Sequence, residues 1–302
     1  MAVSSVRVPG KVNLALCVAP RRADGYHELV TVFQAVSLHE EITALARQDA
    51  EIGLQMTGEG SEELPCDQSN LAVRAARLLR ERYSRPDLGV DLRVRKQVPM
   101  AGGMAGGSAD AAGVLLACSQ AWQLGAGSSE LSGIAAELGS DVPFLLFGGN
   151  AVGTGRGERL RAMPALGRLE WVFALAPRGL STPSVYQRFD ELVERGVLVP
   201  NTELSKRSLD ALCSGDAAQV APELRNDLQP AALELYPELA ATLEAGLFAG
   251  ALAAVLCGSG PTCAFLCTDA DQADRLAAAL ATAPEVRGTR RAHGPVPGPE
   301  VL

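Results

Sequence analysis

Lysine is almost missing from this sequence: Lys11, Lys96 and Lys206 stand beside twenty-four arginines, so each lysine calls for a local reason. Nor does any stretch approach the ~20 uninterrupted apolar residues of a membrane-spanning helix. The opening MAVSSVRVPGKVNLAL has no charged segment followed by an apolar core and a small-residue cleavage site. The expectation is a cytoplasmic chain, neither exported nor membrane-spanning. Seven cysteines make an odd count and never fall as C-x-x-C, which excludes a disulfide framework; Cys257, Cys263 and Cys267 lack zinc spacing. They read as reduced core residues. Positive charge is short overall, with a formal net charge of −8, and a nucleic-acid partner needs clustered Lys and Arg. Charge blocks, low-complexity tracts and internal repeats are absent as well, so the chain reads as globular throughout. Its 302 residues suffice for two ordinary domains or one large domain with a deep cleft.

Val6 to Val8 reads as a short strand, Pro9-Gly10 as a turn or bulge, and Lys11 to Val18 as a second extended run. Strict alternation in that run puts Val12, Leu14, Leu16 and Val18 on one face and Lys11, Asn13, Ala15 and Cys17 on the other. Asp24-Gly25 marks a turn before Tyr26-His27 and a β-rich run from Leu29 to Leu38. Asn70 to Arg82 has helical composition, Val90 to Val94 alternates as a strand, and a glycine loop from Pro99 to Gly107 precedes a helix over Ser108 to Trp122. Leu131 to Leu138 reads as a helix, Asp141 to Phe147 as a short apolar segment, and Leu169 to Ala176 as a strand. Met163 to Arg168 is the expected boundary, giving domains 1–165 and 166–302. Beyond it, helices over Ala231 to Gly246 and Asp271 to Ala281 flank strands Ala253 to Leu256 and Cys263 to Cys267. Strands and helices mixed without strict alternation predict an α+β fold.

The loop Gly102-Gly103-Met104-Ala105-Gly106-Gly107-Ser108 lies between a strand and a helix, where unhindered backbone N–H groups and a helix N-terminus can cradle phosphate. Gly102 and Gly107 have the outer spacing of a Walker loop, but Ser108 replaces its lysine. The Rossmann spacing also fails, because Met104 stands where a glycine is required, and a dehydrogenase loses its main support. A second cluster, Gly153 to Gly157, opens no clear helix and reads as a loop between strands.

Pro99-Met100-Ala101-Gly102-Gly103-Met104-Ala105-Gly106-Gly107-Ser108-Ala109 resembles the phosphate loop of the GHMP kinase superfamily. Pro9-Gly10-Lys11-Val12-Asn13-Leu14 resembles that superfamily's first motif, and Cys257-Gly258-Ser259-Gly260-Pro261-Thr262 its third. Arg22 to Leu29 and Gly139 to Phe144 resemble signatures of those members whose acceptor is a cytidine-diphosphate-linked methylerythritol, phosphorylated at its 2-hydroxyl for isoprenoid precursors. The resemblance implies a ribosomal-protein-S5-like N-terminal domain, a ferredoxin-like C-terminal domain and an active site between them. Ala109 departs from a common second serine, and Ala101 and Ala105 from common glycines.

What the resemblance implies for single residues follows from the needs of phosphoryl transfer: a positioned hydroxyl, a base or orienter, and cationic stabilisation. Asp141 is the implied base and Lys11 its cationic neighbour; as ordinary residues they would be a helix N-cap and a strand-edge charge. ATP and Mg²⁺ are the implied cofactors. The loop from Pro99 to Ala109 would hold ATP, Asn70 and Lys96 would border adenine, and Ser108 would cap the helix and touch phosphate or Mg²⁺. Tyr26, His27 and Phe33 are the implied cytidine contacts, with Tyr186 stacking on the base from the Thr182 to Tyr186 segment. Asn13 would touch the erythritol diphosphate or orient Lys11. The expected assembly is a monomer or weak homodimer, with no nucleic acid and no membrane. Rival readings are a GHMP kinase for homoserine, mevalonate or a sugar, and a non-catalytic relative, which would be expected to lack Lys11 or Asp141.

Overall fold

The computed structural model describes residues 2–100 and 102–302. Apolar alternation carries strand β1 (Val3–Arg21) straight through Pro9 and Gly10, where the sequence reading breaks it. A bulge in its antiparallel pairing with β2 (His27–Arg47) sits at that point and accommodates the residue that has no N–H to give. A second bulge, between Asn13 and Ala15, overturns the predicted alternation. Ala15 joins Val12 and Leu14 in the core, while Leu16 turns to line the same cleft as Lys11 and Asn13. One inserted residue swaps the faces beyond it.

β2 also runs past the predicted Leu38. It pairs with β4 (Gly89–Lys96) along Glu41 to Arg47 and with β5 (Asn150–Gly155) along Leu29 to Gln34. With β3 (Ile52–Gly58) beside β4 and β6 (Arg159–Met163) beside β5, these strands make the first sheet. Its helical cover is α1 (Leu71–Arg82), α2 (Gly106–Ala121), α3 (Ser128–Leu138) and α4 (Val142–Phe147). The central one, α2, is built of small residues buried on nearly every side, and at Gly113 an added Cβ would lie 2.5 Å from Ile42 Cδ1. Glycine there lets the helix lie close against β2 and β1, which outweighs its poor helix propensity. Of the cluster from Gly153 to Gly157, expected as a loop between strands, Gly153 to Gly155 end β5 and only Arg156 and Gly157 belong to the turn into β6.

Between Met163 and Leu169 the chain passes to a second, wholly antiparallel sheet of β7 (Leu169–Leu175), β9 (Ala253–Leu256), β10 (Cys263–Cys267) and β11 (Gly288–Gly294), in the order β11-β7-β10-β9. Trp171 and Phe173 point from β7 into a core shared with Val12, Leu14, Val32 and Val36 of the first sheet, so the two sheets lie face to face. The alternate residues Val172 and Ala174 face the helices α5 (Thr182–Glu194), α8 (Gln229–Leu235), α9 (Glu238–Phe248) and α10 (Ala270–Leu280). Two short helices, α6 (Lys206–Cys213) and α7 (Ala217–Val220), lead to β8 (Arg225–Asn226), which returns to pair with β1 at Ala15 and Leu16; β12 (Glu300–Val301) returns likewise at Val6 and Arg7. The fold is α+β. The single helix expected over Ala231 to Gly246 is two, because Pro237 forces Tyr236 out of the helical region. Cys17, Cys118, Cys257, Cys263 and Cys267 are buried free thiols, but Cys66 is exposed and Cys213 half-buried, against the expectation that all belong to the core.

Candidate active site

The glycine loop and the turn after β9 interlock. A Cβ on Gly103, whose φ is +76°, would lie 1.8 Å from the carbonyl oxygen of Cys257, and one on Gly102 would lie 2.3 Å from Thr262 Oγ1. Only residues without side chains permit that approach. On the far side Asn226 of β8 holds the turn, its Nδ2 donating to the carbonyls of Leu256 (2.8 Å) and Gly258 (2.7 Å). Gly107, by contrast, faces open space. Helix α2 begins at Gly106, inside the loop, with Ala105 in the left-handed conformation at its N-cap and no side-chain cap. Ser108 therefore does not cap it, correcting the sequence reading. The first-turn N–H groups of α2 are left for an anion, and its dipole favours one. Ala101 lies outside the described residues.

Lys11 reaches this place from β1, hung from the loop by its backbone N–H, which donates to Met104 O (3.2 Å). Its Nζ donates to Asn13 Oδ1 (2.8 Å), Asn13 Nδ2 donates to Thr31 Oγ1 (2.8 Å), and that hydroxyl donates to Ala15 O (2.7 Å). The chain of hydrogen bonds holds a buried ammonium 3.5 Å from Asp141 Oδ2. Asp141 occupies the N-cap position of α4, yet its side chain caps nothing and remains partly open to the cleft. Position without a capping bond leaves the carboxylate free for other work. Phe33 lies beneath them, 2 % exposed and stacked on Phe144 with ring centroids 4.7 Å apart. It has no open face for a stacked base, so the cytidine contact read for it from the sequence becomes a place in the floor under Lys11, 5.6 Å from the ammonium.

These groups line a cleft of about 620 Å³ with Asn70, Pro99, Met100, Gly102, Gly103, Gly106, Gly107 and Ser108. Asn70 is the N-cap of α1, its Oδ1 accepting from Ala72 N–H. Lys96, at the end of β4, is buried, with its Nζ 2.6 Å from Glu40 and 2.7 Å from Asp110. Burial, only partly countered by Lys96, pushes the Glu40 carboxyl up to about 7 and raises that of Asp110. Sequence reasoning missed both acids. Asp110 carried a signal, as the one carboxylate in a helix made mostly of small and apolar side chains.

A second cavity, of about 1060 Å³, adjoins the first and contains Tyr26, His27, Thr182 and Tyr186. His27 is the buried first residue of β2, its Nε2 2.7 Å from Asp190 Oδ1 and its ring centroid 4.9 Å from that of Tyr186. Tyr186 and Asp190 share one face of α5, a helix the sequence reading did not foresee, so Asp190 went unnoticed. Burial and then the nearby Asp141 carboxylate push the Tyr186 phenol up. Thr182 Oγ1 and Ser259 Oγ, 2.7 Å apart, tie α5 to the turn after β9.

The models of the GHMP kinase N-terminal and C-terminal domains match residues 70–149 and 208–285. Together with the glycine loop and a lysine–carboxylate pair at its mouth, they define a small-molecule kinase. The whole chain resembles the 4-diphosphocytidyl-2-C-methyl-D-erythritol kinases of Streptomyces avermitilis, 54% identical with 99% of each chain covered, and of Mycolicibacterium smegmatis, 53% identical with 99% of this chain and 92% of the relative covered. A crystal structure of 4-(cytidine 5'-diphospho)-2C-methyl-D-erythritol kinase superposes with a TM-score of 0.76 at 33% identity, covering 95% of this chain and 98% of the other. The chain belongs to this family of GHMP kinases. A homoserine kinase from Cytophaga hutchinsonii, 18% identical with a TM-score of 0.75 over 100% of this chain and 98% of its own, shares the fold.

Proposed function

We propose that the protein transfers the terminal phosphoryl group of ATP to the 2-hydroxyl of 4-diphosphocytidyl-2-C-methyl-D-erythritol, the compound for which its relatives are named as kinases. One observation carries the reading: the Lys11–Asp141 pair sits where a phosphate-cradling cleft opens into a cavity bearing Tyr26, His27 and Tyr186. The first cavity suits ATP and the acceptor hydroxyl, and the second suits a flat polar base. Asp141 orients the hydroxyl and receives its proton as the oxygen attacks phosphorus; the bond to the departing ADP oxygen breaks, and Lys11 and the N-terminal turn of α2 balance the charge on the transferring group.

Asn13 holds Lys11 in place. Asn70 and the aliphatic stem of Lys96 border the nucleotide, since the ammonium is committed to two carboxylates. Tyr26, His27 and Tyr186 hold the cytosine, with Thr182 at the junction. Among the described residues no group of three His, Cys, Asp or Glu could hold a metal. Mg²⁺ bound with ATP would have the Ser108 hydroxyl as its protein contact. When bound, the cation neutralises phosphate charge. We place the enzyme in the cytoplasm, as a monomer or weak dimer.

A coupled ADP-release assay tests the reading, with the cytidine-diphosphate substrate set against homoserine and mevalonate. ADP formation with the first alone is the expected result. Turnover of either other alcohol at comparable kcat/KM would overturn it.

A further inference from the structure

Of the residues that line both cavities, Leu29, Ser140, Arg156, Thr182 and Tyr186, Arg156 alone is charged. It stands on the turn between β5 and β6, fixed from below. Gly157 N–H donates to Thr154 O (3.1 Å), Gly155 N–H to Glu28 Oε1 (3.0 Å) and the Arg156 N–H to Glu158 Oε2 (2.6 Å). Glu158 thus spends itself on the backbone and reaches Arg159 at 3.9 Å, and among the described residues no carboxylate pairs with the Arg156 guanidinium. That guanidinium lies over the ring of Tyr26, 5.3 Å from its centroid. The other cations are engaged or set apart: Lys11 with Asn13 and Asp141, Lys96 with two acids, and Arg21 beside the second cavity only, donating to Gly25 O.

We propose that Arg156 binds the diphosphate that joins the two halves of the acceptor substrate. The inference rests on the functional reading above: with the reacting hydroxyl at Lys11 and Asp141 and the base against His27 and Tyr186, the linking diphosphate must cross the wall the cavities share. A diester diphosphate carries about two negative charges, and a guanidinium fork meets phosphate oxygens in pairs. Resting on Tyr26 keeps the fork facing the junction and removes rotamer freedom that binding would otherwise have to remove. The acceptor is then selected for its diphosphate as well as for its base.

Calorimetric titration of CDP and of cytidine, with the nucleotide cleft filled by a non-hydrolysable ATP analogue, tests this on the full-length protein. The wild type should prefer CDP to cytidine by about 10- to 100-fold, the range of a charge-assisted contact. Arg156→Ala should lose most of that preference while keeping its cytidine affinity within about threefold, which also reports that the cavity is folded, and Arg156→Lys should recover part of it. An unchanged preference in Arg156→Ala overturns the role of Arg156 alone. Equal weakening of both ligands also overturns it, since Arg156 would then only support Tyr26. Failure of the wild type to bind either ligand overturns the inference together with the base-binding reading of the cavity.

Discussion

Lys11 Nζ and Asp141 Oδ2 lie 3.5 Å apart, although one comes from the first strand and the other from the start of a six-residue helix. The ammonium is buried and fixed through Asn13 and Thr31, while the carboxylate keeps an open side. A fixed charge beside an accessible acceptor is what a developing phosphoryl transition state needs. Asp141→Asn keeps the shape but cannot take up a proton, so kcat should fall by about a thousandfold or more while ATP and acceptor affinities stay within about tenfold. Lys11→Met should lower kcat by a similar order; a rise confined to KM would reassign it to ground-state binding. Steady-state kinetics for both substrates checks this.

Gly103 has a left-handed backbone, and its missing Cβ would fall on the carbonyl of Cys257. Gly103→Ala therefore meets two independent penalties: about 1–2 kcal/mol for the left-handed backbone, and whatever is needed to move the turn after β9 away. That turn touches Lys11 at Gly258, where an added Cβ would lie 3.4 Å from the ammonium. The expected result is a higher KM for ATP together with a urea midpoint below that of the wild type. Gly107→Ala, with nothing within 4 Å of the added carbon, should keep the wild-type midpoint.

Much of this was legible in the sequence because it depends on local chemistry. Glycines mark the loops, strand alternation sets Lys11 beside Asn13, and Asn70 announces the start of α1. Alternation says nothing of a bulge, however, and the one after Asn13 is what puts Leu16 rather than Ala15 in the cleft. Nor can it supply long-range company: Glu40 with Lys96, Asp190 with His27, and Arg156 between two cavities are products of how β2, β4, α2 and α5 pack. Phe33 was misread for the same reason, since only the position of Phe144 determines that its face is covered.

The buried group of Glu40, Lys96 and Asp110 lies directly under the first turn of α2, where a Cβ on Gly106 would come 3.1 Å from Glu40 Oε1 and 3.4 Å from Lys96 Nζ. Removing the single cation leaves two buried acids without compensation. Lys96→Met should cost about 3–5 kcal/mol in urea unfolding. Adding Glu40→Gln and Asp110→Asn to it should recover much of that loss, because no uncompensated buried charge then remains. If the triple variant is as unstable as the single one, the damage comes from packing rather than charge.

The same group makes stability depend on pH with a definite sign. Burial pushes the Glu40 carboxyl up from 4.5 to about 7, with Asp110 displaced in the same direction. A group whose proton is held more tightly when folded favours the folded state fully below its unfolded value, and that contribution is lost as pH rises through the folded value. Lys96 opposes the shift for Glu40 but does not cancel it. Glu40→Gln keeps the shape of the protonated acid and removes the titration. Wild-type stability minus that of Glu40→Gln should therefore decline between about pH 4.5 and 7 and level off above it. Urea midpoints across that window measure the difference; a difference that grew with pH would mean that Lys96 holds Glu40 ionised throughout.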